Sequence, residues 1–397
     1  MAHSVQLDDL DLDSPDIRTR LRAAGPVARI ILPGGLAVWA VTSYTELRQV
    51  LADPVTFVRG WRNWRALATG EADRAHPLVG MLAGVESMAA SNGTDHRRAR
   101  SVLQAAFTSG RIERLRPRVR EIIADLLRRL DRPGRIDLKA EFAWPLPVQI
   151  ICELLGVDKG RAPFMGDITT RVFSGDPTVD DDARAFLGDL AGGKREAPGD
   201  DLTSVLVAAC DRDGRIAEHE LVDNLYLLVV AGFETTMGAL TNGIRALLTH
   251  PDQLELLRGG RASWKRAVEE ILRWDTSVAL LPAVFPARDV EIGGVGIPAG
   301  DPILLAYSAA NRDPAAWDAP DRFDVTRAGR GHLAFGHGVH MCLGAPLARL
   351  ELGEALPALF HRFPDLRLEG TDEDLGPSST SPIMNHPRRL PARTRPL

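Results

Sequence analysis

The stretch from Phe335 to Glu351, FGHGVHMCLGAPLARLE, sets three glycines around one cysteine and runs into a helix with Pro346 in its first turn. Gly336, Gly338 and Gly344 can take positive φ, which lets the main chain fold tightly round the Cys342 sulfur and aim N–H groups at it. The positive end of the following helix favours a thiolate over a thiol. Such a sulfur, with Phe335 beside it, suits axial ligation of an iron, because hydrogen bonds to sulfur tune the metal's potential. A nucleophilic cysteine would want similar electrostatics, and a buried thiol in a glycine-rich turn is the plain alternative.

Three other constellations accompany this loop. AGFETT, Ala231 to Thr236, lies inside a helical pattern from Glu218 to Leu248, and Ala231, Gly232 and Thr235 share one face. A glycine there costs roughly 1 kcal/mol against alanine and asks for a reason, such as a ligand passing close to the backbone. An ordinary helix with a threonine bonded back to its own turn is the competing reading. Glu270 and Arg273, in EEILRW, form an i, i+3 pair of opposite charge, an arrangement that is most often exposed and weak. His96 and Arg100, in DHRRAR, lie four apart on one helical face, where they could clamp an anion or simply solvate a basic helix start.

The chain that positions these groups has 397 residues, 45% hydrophobic and 25% charged, as a folded globular protein does. A net charge of -5 argues against a nucleic-acid partner. Cys152, Cys210 and Cys342 are odd in number and lack CxxC spacing, which disfavours a disulfide framework or a four-cysteine zinc site. The start, MAHSVQLDDLDLDSPD, lacks a signal-peptide layout, and runs such as Leu225 to Phe233 fall short of the ~20 residues a bilayer span needs. A cytoplasmic location without a membrane partner is expected.

Runs at Ala28 to Leu32 and Ala37 to Val41 read as a β-hairpin, followed by a helix from Tyr44 to Ala52. Apolar spacing predicts helices over Ile112 to Leu130, Ala143 to Leu155, Asp201 to Ala209, Glu218 to Leu248, Ala262 to Trp274 and Pro346 to Phe360. No repeat or linker divides the chain, so residues 1–397 are expected to form one mainly α domain with a minor β part, at about 26–60 and 276–310.

The cysteine loop resembles the ligand loop FGxGxHxCxG of the cytochrome P-450 family of haem-thiolate monooxygenases, matching it at Phe335, Gly336, Gly338, His340, Cys342 and Gly344. The other landmarks follow in order over nearly the whole chain, including ANRDP at Ala310 to Pro314 and PDRFDVTR at Pro320 to Arg327. The resemblance implies the soluble bacterial form of that fold: a triangular helical domain holding haem b between the long central helix and the cysteine-loop helix. It implies that Cys342 is the iron ligand, that Ala231 and Gly232 line the haem, and that Glu234 and Thr235 are an acid–alcohol pair relaying protons during dioxygen activation. It gives His96, Arg100 and His340 to the haem propionates. It makes Glu270 and Arg273 a buried scaffold behind the loop, with Arg322 or His332 as candidate partners. One departure stands out: where the family often carries a propionate-binding arginine this chain has Val284, with Arg288 or Arg330 as possible replacements.

By order along that fold, Trp64, Met81, Leu82, Val85, Phe173, Leu227, Leu280, Val284 and Ile383 are candidate contacts for a medium-sized hydrophobic substrate, each of which could equally be core. Hydroxylation or epoxidation is expected. NAD(P)H electrons would arrive through a separate ferredoxin and ferredoxin reductase, drawn to a monomer by Arg97, Arg98 and Arg349. Rival readings are a peroxygenase or carbon–carbon coupling enzyme on the same scaffold, a zinc or thiol enzyme using His337, His340 and Cys342, and a non-catalytic haem sensor.

Overall fold

The computed structural model describes residues 4–6, 15–32, 36–72, 87–174, 176, 178–329, 331–369, 375 and 384–395. At its centre runs the 32-residue helix Glu218–Thr249. Leu221, Leu225, Val229, Phe233, Met237, Leu240, Ile244 and Leu247 bury one long stripe at three- and four-residue steps, with further residues buried around them. Against this helix pack Pro145–Leu155, Val179–Glu196, Trp264–Trp274 and the cysteine-loop helix Ala345–Arg362. The central helix is long and apolar enough to cross a membrane, but 72% of its apolar window is buried inside the protein.

A six-stranded sheet stands beside the helices, in the order β1 (Ser4–Gln6), β2 (Val27–Leu32), β3 (Leu36–Val41), β9 (Ile303–Ala306), β6 (Leu280–Pro286), β4 (Phe57–Val58). The predicted hairpin pairs β2 with β3 in register from Val27↔Val41 to Leu32↔Leu36; its Pro-Gly-Gly turn lies outside the described residues. Strand alternation sorts side chains between two cores. Ile30, Val38 and Ala40 join Trp64 and Phe285 in one, whereas Val27, Val41, Ile303 and Leu305 join Tyr44, Leu47 and Tyr307 in the other. The short strands β7 (Val290–Ile292) and β8 (Val295–Ile297) form a hairpin, and β10 (Arg367–Leu368), β11 (Pro391–Arg393) and β5 (Arg135–Asp137) make a third sheet. Every helix expected from apolar spacing is present, with ends shifted by no more than a few residues.

Candidate active site

The cysteine loop is held by its own backbone. Gly336 N–H donates to the Leu333 carbonyl at 2.8 Å, Cys342 N–H to the Phe335 carbonyl at 2.8 Å, and Met341 N–H to the Gly338 carbonyl at 3.1 Å. Gly338 has φ 72°, and a β-carbon there would overlap the Leu51 carbonyl of helix Tyr44–Ala52, so only glycine fits. Gly344 differs from expectation. Its φ is −80°, which any residue adopts, and a β-carbon would sit 3.9 Å from the Cys342 sulfur, an ordinary contact. Its part is to donate: the N–H groups of Gly344 and Ala345, at the start of the cysteine-loop helix, bond the sulfur. Cys342 is solvent-accessible yet lies deep among protein atoms, as at the floor of a concave site. That depth raises the thiol pKa, opposed by those two N–H groups and by Arg100 and Arg349. Phe335 lies under the Arg349 guanidinium, 4.6 Å from its ring centroid.

Behind the loop, Glu270 and Arg273 form a buried two-pronged pair at 2.8 and 2.9 Å. Arg273 also donates to the carbonyls of Asn311 (3.0 Å), Pro320 (2.8 Å) and Arg322 (3.2 Å), and the Asp324 N–H donates to Glu270 at 2.9 Å. The third charged member is Arg327, whose Nε lies 3.1 Å from Glu270. Neither expected partner takes that place. Arg322 contributes its carbonyl and points an exposed side chain towards Asp324, and His332 bonds Glu269 at 3.1 Å instead. Asn311 ties this scaffold to the loop: its amide donates to Thr276 at 2.9 Å and its oxygen accepts the Leu333 N–H at 2.7 Å.

Four basic groups gather on another side of the loop. The His96 and His340 rings stand 4.0 Å apart, and Arg100, one helical turn after His96, donates to the Met341 carbonyl at 2.7 Å. The fourth is Arg59, at the end of β4, whose guanidinium bonds the Tyr307 hydroxyl. Burial lowers the His340 pKa to about 2, helped by Arg59, His96 and Arg100. Burial and Arg100, Arg59 and Arg97 lower His96 to about 4. No carboxylate figures among the groups that act on these four, and His96 Nε2 is buried without a partner. A soft thiolate ligand beside two arginines and two imidazoles that no carboxylate answers fits haem, an iron chelate with two carboxylates. Arg59 therefore stands where the missing strand arginine was sought. Arg288 is exposed and lies against Thr56 at 3.5 Å, and Arg330 is outside the described residues.

On the central helix, Thr235 donates to the Ala231 carbonyl at 2.7 Å, the back-bond of an ordinary helical threonine, while Ala231 itself is exposed. Gly232 has a packing reason: a β-carbon there would come within 2.5 Å of Ile151 Cδ1 on the neighbouring helix. Glu234 is buried and paired at 2.9 Å with His386, from the C-terminal segment, a partner that sequence reading missed.

The expected substrate contacts divide. Trp64 is 1% exposed and packs in the sheet core, its ring 6.2 Å from that of Phe285, so it is a core residue. Leu280 and Val284 are buried in the two sheet cores, and Leu227 packs partly buried against the helical core. Phe173 falls in the last turn of helix Ala162–Ser174, and Met81, Leu82, Val85 and Ile383 lie outside the described residues. A cavity of about 550 Å³ opens between Trp61, Met88 and Asn224 and shares Arg59 with the basic cluster.

His337, His340 and Cys342 do not converge as metal ligands; among the described residues only Cys210, Asp211 and Glu218 do so. Comparison with known proteins agrees with the haem reading. The sequence profile described as cytochrome P-450 matches residues 264–390. The chain is 41% identical to cytochrome P-450 monooxygenase PikC of Streptomyces venezuelae, over 98% of this chain and 92% of that one. It is 39% identical to 6-deoxyerythronolide B hydroxylase of Saccharopolyspora erythraea, over 93% of each. The solved structure of CYP154A1 from Streptomyces coelicolor A3(2) superposes with a TM-score of 0.90 at 38% identity, covering 98% of this chain and all of that one. The chain belongs to the cytochrome P-450 family, and it is a monooxygenase that uses haem b and dioxygen.

Proposed function

We propose that this protein is a single-domain cytoplasmic enzyme that hydroxylates or epoxidises a medium-sized, largely hydrophobic secondary metabolite, and that Cys342 ligates its iron. The observation that carries the site assignment is the Cys342 sulfur receiving the Gly344 and Ala345 N–H groups beside two arginines and two imidazoles that have no carboxylate among them. The relative named for hydroxylating 6-deoxyerythronolide B supports the substrate class. Haem b, when bound, supplies activation of dioxygen and insertion of one of its atoms into the substrate. His96, Arg100, His340 and Arg59 bind and orient the carboxylates of that group. Thr235 and Glu234 hold and move protons on the central helix, the hydroxyl through Oγ1, which now bonds Ala231, and the carboxyl through the oxygen now on His386.

Electrons come from an acidic ferredoxin and its reductase. Of the three arginines expected to steer that partner, Arg98 is paired with Glu220 and Arg349 with Glu269, which leaves the exposed Arg97 as the main attractor. The test is turnover of Thr235→Ala with a ferredoxin system. Reductant consumption that continues while product falls supports the assignment, and undiminished product yield overturns it. Turnover on hydrogen peroxide alone at the same rate would favour the peroxygenase reading.

A further inference from the structure

Glu234 is one end of a buried chain of side chains that reaches across to a different part of the fold. His386 Nε2 lies 2.9 Å from Glu234 Oε1, and His386 Nδ1 lies 3.1 Å from Lys139 Nζ. An ammonium can only donate, so Nδ1 accepts and the imidazole proton sits on Nε2, aimed at the carboxylate. The alternative tautomer has an acceptor of its own, the Pro387 carbonyl at 3.2 Å, but Lys139 on one ring nitrogen and the Glu234 carboxylate on the other both select Nε2–H. Lys139 is half-buried at the start of a single π-helical turn, Lys139–Ala143, a departure from regular helix that often marks a functional position.

The fold makes room for this chain and fixes it. A β-carbon on Gly238, one turn beyond Glu234, would meet His386 Cδ2 at 3.0 Å and Ser277 Cβ at 3.1 Å, so glycine there lets the ring pack closely against the helix. The residue before it, Asn385, is held on three sides: its N–H donates to the Ser277 carbonyl (2.8 Å), its amide to Asp275 (2.9 Å), and its carbonyl accepts from Asn242 (2.8 Å). His386 is 1% exposed and therefore does not wander between rotamers.

We propose that His386 and Lys139 are positioning residues that dock the Glu234 carboxylate on the C-terminal segment and release it when it takes up a proton. An ionised carboxylate accepts a charge-assisted bond from Nε2–H; a protonated one offers only its neutral carbonyl oxygen and adds an O–H for which Nε2–H is no acceptor, so the dock weakens. The proton balance is simple: one proton from solvent goes onto Glu234, and His386 and Lys139 keep theirs. The groups that face this dock are Glu234 from the central helix, and Lys139 with Asp137 and Arg388 around it; burial and Arg388 lower the Lys139 pKa, while Glu234 and Asp137 hold it charged. The inference rests on the reading of Glu234 as the acid of the proton-delivery pair.

The experiment compares Glu234→Gln, His386→Ala, His386→Gln and Lys139→Met holoenzymes, with product formed per electron pair as the readout across pH. His386→Ala should lower kcat roughly 10-fold with KM unchanged, as loss of a supporting partner does. His386→Gln, which still offers an N–H, should restore much of it, and Lys139→Met should act in the same direction as His386→Ala. A second readout does not depend on turnover: in protein labelled with 15N-histidine, His386 should carry its proton on Nε2, and a proton on Nδ1 alone would overturn the dock. If Glu234→Gln impairs coupling while the His386 and Lys139 variants behave as wild type, the dock is wrong and the Glu234 reading stands. If Glu234→Gln couples normally, both fall.

Discussion

Two clusters of buried charge meet the cysteine loop, and they are built to opposite rules. Behind the loop, Glu270, Arg273 and Arg327 answer one another and the carbonyls around them, so each donor finds an acceptor inside the chain. At the other side Arg59, His96, Arg100 and His340 crowd together with no acid among the groups that act on them. Charge matched within the protein fixes shape; charge left unmatched at one face, at an electrostatic cost, marks where an anionic ligand belongs.

Substitutions should separate the two. Arg273→Ala strands the Glu270 carboxylate in the core and should cost about 3–5 kcal/mol of stability, read by thermal unfolding with or without haem. Arg59→Ala should behave oppositely in the two states. Loss of one charge-assisted contact of about 1.5–3 kcal/mol should speed haem transfer to an acceptor protein by roughly 10-fold or more, while the haem-free protein, relieved of like charge, unfolds no earlier. Equal destabilisation of both states would put Arg59 in the scaffold class.

pH offers a smaller contrast. His96 falls from its ordinary value to about 4 in the absence of an anion. A depressed histidine means that the unfolded chain binds the extra proton first, so haem-free stability should fall as pH drops from about 6.5 towards 4. His96→Asn should flatten that slope, and bound haem should reduce it. The loop glycines give the smallest pair of effects. Gly338→Ala, forced to positive φ against the Leu51 carbonyl, should cost about 1–3 kcal/mol, whereas Gly344→Ala at φ −80° should stay within about 0.5 kcal/mol.

What could be read from sequence was what is local. Cys342 and its glycines, the Glu270–Arg273 pair and the His96–Arg100 pair each lie within one loop or one helix, where spacing alone sets the geometry. Arg59, Arg327 and His386 reach their partners from distant segments: FVRGW, DVTR and NHPRR carry no periodicity that names Tyr307, Glu270 or Glu234 as neighbours. Gly232 shows the same limit, since a glycine in a helix signals close approach without saying of what, and Ile151 is a neighbour that spacing did not name. Helix Val179–Glu196 escaped because Gly188, Gly192 and Gly193 lower its helix propensity, although Val179, Ala183, Phe186, Leu187, Leu190 and Ala191 keep an apolar stripe that packs against the central helix.

The most direct test of thiolate ligation by Cys342 is the visible spectrum of the purified, haem-loaded protein, reduced with dithionite and exposed to carbon monoxide, for wild type and Cys342→Ser. The account expects a Soret band shifted strongly to the red in the wild type and lost in the variant. A wild-type band at the position given by nitrogen-ligated haem, or one unchanged in Cys342→Ser, would contradict it.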